Sequence, residues 1–315
     1  MSLLLVAIAL AASDSSRLDA PKALKISVAA AETLAVTIAG AESGSPLVLI
    51  PGLFGSNFGF RKVVPPLNRA GYRTIVIEPL GMGASSRPEH ADYSLLAQAD
   101  RIARVLDSLH VESALVVAHA LGAAMALRLA YRRPDLVRGL VALDGGASEA
   151  AVTPAFRRSL RLIPWINLFG GMKLVRKKTR ENLVASSVDT TWVTDDVVAE
   201  YTAGTAKDLH RTLEAYVAMA EAKERDRLAP HLAEVRCPVR LVVGGAPHEG
   251  HMKEPDVALL RQSLRAFAID SIAGAGHYLQ EERPDVVVDA VVRLQATVRG
   301  RLGRTKMDEV LLLKP

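Results

Sequence analysis

The chain carries a strand-like run that leads directly into a helical pattern through a very short turn centred on Ala120. The run covers residues 114–117, and the helical pattern starts at Leu121. Ala118 and Gly122 stand two residues before and two after the centre, and they are small enough for the two backbones to approach closely. The methyl group of Ala120 cannot attack a carbonyl carbon, so the fold and the chemistry of this chain are separate questions.

Four segments resemble motifs of the α/β-hydrolase family, and they occur in the family's order. Residues 116–124, VVAHALGAA, are similar to the G-x-S-x-G turn that carries the family's nucleophile. Residues 46–55, PLVLIPGLFG, resemble the third strand and the oxyanion loop, and residues 75–88 resemble the strand and loop that in relatives read Asp-x-x-Gly-x-Gly-x-Ser. Residues 273–284 resemble the loop of the catalytic histidine. The resemblance covers about residues 46–296 and implies an α/β-hydrolase fold.

Apolar strand-like runs alternate with helical patterns along most of the chain, which is typical of a mostly parallel sheet covered on both faces. The 315 residues, 50% of them hydrophobic, predict an α/β fold with an eight-stranded, mostly parallel sheet that begins with an antiparallel hairpin. Residues 147–232 read as helices only, and the resemblance makes them a lid inserted after strand 6. The predicted core comprises residues 21–146 and 233–300, between an N-terminal segment 1–20 and a C-terminal tail 301–315.

The resemblance also assigns roles to individual residues. Ala120 occupies the place of the nucleophile, and His277 matches the histidine that would take a proton from it. The backbone N–H groups of Leu53 and Leu121, beside Gly52, match the pair that stabilises an oxyanion. Because these donors depend on backbone shape, they can persist without a serine.

Two carboxylates compete to orient His277, because the usual acid is missing from its usual place. Relatives carry an aspartate about three residues past the glycine that closes the seventh strand, where residues 243–249 read VGGAPHE. Glu249 would serve if this loop bends by one or two residues. Asp144 follows the sixth strand, where some members of the fold carry the acid, although an aspartate there can also cap a turn. The sequence favours Asp144 slightly over Glu249 and leaves open that neither serves.

The missing hydroxyl has a large consequence for activity. Removing the serine of a serine hydrolase costs on the order of a millionfold in turnover and leaves roughly a thousandfold over water. The resemblance implies a hydrolase of small ester- or amide-like substrates, whereas Ala120 argues against an acyl-enzyme. Three explanations stay open: an engineered replacement of serine, a protein that binds a ligand or partner without catalysis, and an enzyme in which His277 activates water. Aminoacrylate-hydrolase-like proteins are a precedent, since their elbow reads Gly-His-Ala-Leu-Gly.

Composition restricts the partners and cofactors. The net charge of +5 and the isoelectric point near 9.4 could suit nucleic acid, but aromatic residues make up only 4% and no nucleic-acid motif occurs. No phosphate-binding loop or cysteine pair is present, and His248 with His251 near Glu249 is too little for a metal site. We therefore expect no cofactor, no metal and no nucleic acid, and a small apolar or ester-like molecule as the ligand.

Two segments bear on membranes and on cellular location. Residues 157–180 hold eight basic and no acidic side chains. Contact with a membrane surface would suit them, but a lid helix with solvated arginines is the favoured interpretation. Residues 1–12 have the apolar core and small-residue exit of a secretory signal without its basic start, so export and a cytoplasmic location both stay open. Cys237 is the single cysteine, which excludes an intrachain disulfide.

Overall fold

The fold is built on one mixed sheet. The structure, a computed structural model, describes residues 20–152, 157 and 171–312. The strands within these residues are β1 (Lys22–Ala29), β2 (Glu32–Ala39), β3 (Ser45–Ile50), β4 (Tyr72–Glu78), β5 (Ala114–His119), β6 (Val137–Leu143), β7 (Val239–Gly244) and β8 (Phe267–Ile272). They form an 8-stranded sheet of order β1-β2-β4-β3-β5-β6-β7-β8, in which β2 is antiparallel to both its neighbours and all other pairs are parallel. The predicted eight-stranded, mostly parallel sheet with an initial hairpin is confirmed.

Helices connect the strands and cover the sheet. They are α1 (Val64–Arg69), α2 (Leu95–Ser108), α3 (Leu121–Arg132), α4 (Gly171–Ala185), α5 (Asp195–Tyr201), α6 (Ala203–Lys207), α7 (Leu209–Glu221), α8 (Glu254–Ser263), α9 (Leu279–Glu282) and α10 (Pro284–Leu312), with 3-10 helices at Asn57–Phe60 and Ala229–Glu234. The last helix, α10, runs on through most of the residues assigned to a C-terminal tail. Among the described helices none is long and apolar enough to cross a membrane.

The central strands are buried on both faces. In β3, Val48 and Ile50 pack into a core shared with α2 and α3, whereas Leu47 and Leu49 pack into a second core with α1 and α10. All six residues of β5 are buried. This two-sided burial explains why these strands read as continuous apolar runs rather than as alternating patterns. It also holds the ends of β3 and β5, where the candidate site lies, on a closely packed support.

The interval between β6 and β7 contains helices and no strand in its described part. Leu183 of α4 and Tyr201 of α5 pack around Trp192, and Tyr216 and Met219 of α7 join the main core. The bounds 147–232 of a separate lid stay a prediction. Residues 153–156 and 158–170 of that interval, and with them most of the first half of the basic segment, lie outside the described residues, as does the signal-like start of the chain.

Candidate active site

The turn between β5 and α3 has the backbone that the sequence predicts. Ala120 has φ 47° and ψ −115°, a positive φ that residues with a Cβ rarely adopt. A Cβ added to Gly122 would come within 2.6 Å of the carbonyl oxygen of Ile50, so only glycine permits this approach of α3 to the end of β3. Ala120 donates its N–H to the carbonyl of Leu143 at 2.9 Å, which ties the turn to β6. The predicted elbow geometry is confirmed.

The oxyanion loop lies directly over this turn. A Cβ placed on Gly52 would stand 3.1 Å from the Cβ of Ala120, which shows how closely the two segments meet. Leu121 is the first residue of α3, and its N–H therefore has no partner within the helix. Leu53 is half-buried beside Gly52. The assignment of the Leu53 and Leu121 amides as oxyanion donors stays a prediction that this placement suits.

His277 is joined to Asp144 rather than to Glu249. The Nδ1 atom of His277, in the loop between β8 and α9, lies 2.6 Å from Oδ2 of Asp144, which directly follows β6. The backbone N–H of His277 donates to the carbonyl of Ser186 at 2.8 Å. This hydrogen bond ties the loop to the insertion, the segment between β6 and β7. The side chain of Asp144 is 0% exposed and that of His277 14% exposed. Glu249 is exposed and makes no hydrogen bond to His277, because its loop turns its side chain to the surface.

A second histidine, His248, contacts the same carboxylate. Its Nε2 lies 2.7 Å from Oδ2 of Asp144 and its Nδ1 lies 2.7 Å from the carbonyl oxygen of Ala246, while its side chain is 1% exposed. Sequence reasoning considered His248 only as part of a weak metal motif with His251 and Glu249. Its position in the loop after β7, where relatives carry their acid, was the signal that could have placed it in the site.

The trio of Asp144, His248 and His277 could hold a metal only after rearrangement. Their ligand atoms lie within 4.8 Å of one another. However, Oδ2 is 2.6 and 2.7 Å from the two ring nitrogens, which are hydrogen-bond distances. Two ligands on tetrahedral zinc, with bonds of about 2.0–2.1 Å, stand roughly 3.3 Å apart. The arrangement therefore matches a hydrogen-bonded cluster better than a metal centre.

His119, next to Ala120, forms a hydrogen bond with the loop of His277. Its Nε2 donates to the backbone carbonyl of His277 at 3.1 Å, which fixes the tautomer of the ring because a carbonyl can only accept. Burial, and to a smaller extent the neighbouring His277, lowers the pKa of His119 to about 3. His119 is therefore a neutral, structural ring near neutral pH.

Aromatic side chains from the insertion and the core surround the histidines. The ring of Tyr278 lies 5.1 Å from that of His277 and 5.5 Å from Trp192. Burial, reinforced by Glu281, raises the pKa of Tyr278, so its hydroxyl stays protonated. On the other side of the site, Tyr216 of α7 meets Phe54 of the oxyanion loop edge to face at 4.9 Å. The described part of the insertion thus contacts both the histidine loop and the oxyanion loop.

The apolar pocket that a lid would form over the turn is a prediction, and it includes residues outside the described ranges. Ala120, Leu53 and His277 are each half-buried. The predicted apolar pocket over them would be closed in part by residues 153–156 and 158–170, which lie outside the described residues. The pocket therefore stays a prediction.

Comparison with known proteins agrees with the geometry. The alpha/beta hydrolase fold model matches residues 45–196. The 2-hydroxymuconate semialdehyde hydrolase of Pseudomonas sp. (strain CF600) is 29% identical over 232 residues, which span 70% of this chain and 74% of that protein. The putative carbamate hydrolase RutD of Pantoea ananatis (strain LMG 20103) is 37% identical over 99 residues, or 31% of this chain and 36% of that protein.

Solved structures share the whole architecture at low sequence identity. A putative lipase from Acinetobacter baumannii AYE superposes with a TM-score of 0.72 at 17% identity, covering 89% of this chain and 93% of that chain. Such a likeness speaks for the fold and leaves the chemistry to the site. With the matched segment, the strand order and the turn at Ala120, it shows that the chain has the α/β-hydrolase fold.

Proposed function

We propose that this chain hydrolyses small ester- or amide-like carbonyl compounds with water as the direct nucleophile, activated by His277. One observation carries the proposal, the 2.6 Å contact between Nδ1 of His277 and Oδ2 of Asp144. An ionised carboxylate accepts hydrogen bonds, so Nδ1 carries the proton and Nε2 keeps its lone pair. A half-buried ring held in this tautomer, 4.6 Å from the ring of His119, which directly precedes Ala120, is equipped to act as a general base.

The reaction needs no covalent intermediate. Nε2 of His277 takes a proton from water while the water oxygen bonds to the carbonyl carbon, and the carbonyl electron pair moves onto its oxygen. The N–H groups of Leu53 and Leu121 would stabilise that oxyanion. The oxyanion then collapses, the bond to the leaving oxygen or nitrogen breaks, and His277 returns its proton to the leaving group. The products are a carboxylic acid and an alcohol or amine.

Ala120 suits this use of water. Its side chain ends at Cβ, so it occupies less of the space above the turn than a serine would. The strained backbone that would present a nucleophile, with φ 47°, is retained. A water molecule can therefore approach a carbonyl carbon from the side on which a serine oxygen attacks in hydrolases of this fold.

The small rate enhancement expected without a serine limits which substrates this chain can hydrolyse. A serine hydrolase without its serine retains roughly a thousandfold over water, so the carbonyl compound must already be reactive toward water. Activated esters and aryl carbamates meet this condition, because both have a good leaving group. The similarity to a relative named as a putative carbamate hydrolase supports a carbamate, although the matched segment spans only 36% of that relative.

A second candidate function is the binding of a ligand without turnover. The observation that favours it is Ala120 itself, because a chain without a nucleophile can keep the same site for recognition. The two functions differ in their dependence on His277. Catalysis needs the lone pair of its ring, whereas binding of a small apolar or ester-like molecule does not.

The test compares the wild type with His277→Ala and with the matched control His210→Ala. His210 lies on α7, and its side chain is 68% exposed, so its loss leaves the site intact. We expect turnover of p-nitrophenyl acetate and of an aryl carbamate in the wild type and the control, and a loss of at least about tenfold in His277→Ala. Equal rates in wild type and His277→Ala would overturn the proposal. Saturable binding of acetate by calorimetry, without turnover, would then favour the binding function.

A further inference from the structure

His248 faces two acceptors, and a neutral imidazole cannot satisfy both. Nδ1 lies 2.7 Å from the carbonyl oxygen of Ala246 and Nε2 lies 2.7 Å from Oδ2 of Asp144. A neutral ring has one N–H and one lone pair, whereas a protonated ring has two N–H groups. The carbonyl oxygen of Ala246 has no proton to give. A neutral ring beside an ionised carboxylate has one proton for these two contacts. The two contacts need two protons, so His248 and Asp144 together must hold one more.

The surroundings of Asp144 place a positive charge there. Its side chain is 0% exposed, and its other oxygen, Oδ1, is buried without a hydrogen-bond partner. An ionised carboxylate in such a place is costly unless a charge is paired with it. The distance of 2.7 Å between Nε2 and Oδ2 is typical of a charge-assisted hydrogen bond.

We infer that His248 is a positioning residue that carries a proton on both ring nitrogens and forms a neutral pair with Asp144, against which His277 is held. The loop after β7, from which relatives supply the acid, here supplies a cation instead. The acid comes from the end of β6. Asp144 then accepts hydrogen bonds from two rings through one oxygen, and the position of that oxygen fixes the orientation of His277.

Other titratable side chains of the described residues stand near the pair of His248 and Asp144. They include the exposed Glu249, His251, whose ring lies 5.2 Å from that of His248, and His277, whose ring lies 5.9 Å away. Beyond His277 stands the neutral His119.

The decisive measurement is nuclear magnetic resonance of the histidine side chains, which does not depend on activity. At neutral pH we expect His248 to show protons on both ring nitrogens, because each nitrogen faces an acceptor that has no proton to give. His248→Gln assigns and removes these signals, and the matched control His251→Gln, in the same loop, leaves them in place. A folded wild type in which His248 shows one protonated nitrogen at this pH would overturn the inference.

Zinc distinguishes a proton from a metal ion in the cluster. With one equivalent of Zn²⁺ we expect the doubly protonated His248 signals to persist, because the short distances to Oδ2 suit a proton. Their loss with stoichiometric uptake of zinc would overturn the inference and make the trio a metal centre.

Turnover gives a second readout, and this arm rests on the proposed function. In His248→Gln kcat should fall while KM changes little, because Oδ2 of Asp144 loses a partner that fixes its position and His277 is then held less precisely. His251→Gln should leave both kcat and KM in place. If the wild type does not turn over substrate, the proposed function fails, but the resonance measurement still decides the role of His248. An active His248→Gln with an unchanged kcat would contradict the positioning role.

Discussion

The site has two sides, one at the end of β5 and one at the end of the neighbouring strand β6. The two sides retain different features of a hydrolase site. At the end of β5, Ala120 retains the strained backbone of a nucleophile turn, with φ 47°, but has no reactive atom. At the end of β6, Asp144 also has a positive φ, 44°, and makes hydrogen bonds to two histidines through its Oδ2 atom. The β5 side therefore retains the backbone shape of a nucleophile turn, whereas the β6 side retains the hydrogen bonds that orient a histidine.

The difference follows from what holds each side in place. The turn is shaped by packing between backbones, such as the close approach of Gly122 to β3, and this packing does not involve the side chain at position 120. The histidine side is held by charges and hydrogen bonds that only particular side chains can make. A nucleophile can therefore disappear without cost to the fold, whereas loss of Asp144 would leave polar groups buried without partners.

The largest effect is expected from restoring the missing atom. Ala120→Ser places a hydroxyl on a backbone that is already shaped for it, so kcat/KM for p-nitrophenyl acetate should rise at least about a hundredfold. The gain should vanish in the double variant Ala120→Ser with His277→Ala. A folded Ala120→Ser variant without any gain would show that the two sides no longer face a common substrate, and the comparison would fail.

His119, the last residue of β5, should contribute to the acid stability of the protein. The pKa of His119 is lowered to about 3, whereas the unfolded chain binds its proton near the ordinary value of about 6.5. Since the unfolded state binds more protons as the pH falls, this contribution to the free energy of unfolding is complete above about pH 6.5. It is lost toward about pH 3 at up to about 1.4 kcal/mol per pH unit.

His119→Gln tests this contribution because its amide can still donate to the carbonyl of His277. We expect a shallower fall in the free energy of unfolding between about pH 6.5 and 4, measured by urea denaturation. The exposed control His210→Gln should follow the wild type. Parallel curves for His119→Gln and wild type would show that His119 is already charged in the folded protein.

The packing that shapes the turn can be probed at Gly122. In Gly122→Ala the new Cβ would meet the carbonyl oxygens of Ile50 and Pro51 at 2.6 and 2.8 Å, so backbone must move. We expect a loss of about 1–3 kcal/mol in the free energy of unfolding. Gly300→Ala, on α10 with nothing within 4 Å of the new Cβ, should instead gain about 0.5–1 kcal/mol. Equal effects at both positions would contradict the packing explanation.

The smallest expected effect is relief of strain at the turn itself. Ala120→Gly removes the Cβ from a residue with φ 47°, and we expect a gain of about 1 kcal/mol in thermal or urea unfolding. Ala31, exposed in the turn between β1 and β2 with φ 61°, is the matched position, and Ala31→Gly should gain similarly. Destabilisation by Ala120→Gly alone would mean that the methyl group supports the turn.

The eight-stranded, mostly parallel sheet and the turn at Ala120 could be predicted because strand-like runs and small residues are local patterns. Continuous apolar runs, and small residues at Ala118 and Gly122, leave few other arrangements. For the partner of His277, the sequence left three possibilities: Asp144, Glu249 or no acid. Their contact joins positions 133 residues apart, and it depends on how two loops meet above the sheet. The pattern of apolar and polar residues along a sequence does not indicate which distant loops come into contact.

The role of His248 escaped prediction for a related reason. A histidine in a loop of glycine, alanine and proline carries no helical or strand pattern that would fix its direction. Its contact with Asp144 spans 104 residues. Because relatives carry a carboxylate in this loop, the sequence pointed to Glu249, which directly follows His248. Exchange of a carboxylate for an imidazolium between two neighbouring loops is a change of charge sign that sequence motifs do not describe.

The contact between Tyr216 and Phe54 ties the oxyanion loop to the interior of the protein. Edge-to-face aromatic pairs contribute about 0.5–1.5 kcal/mol. Tyr216 belongs to the main core together with Met219 of the same helix, α7. A molecule that displaces Phe54 would therefore have to break this contact, and the cost would count against its own affinity for the site.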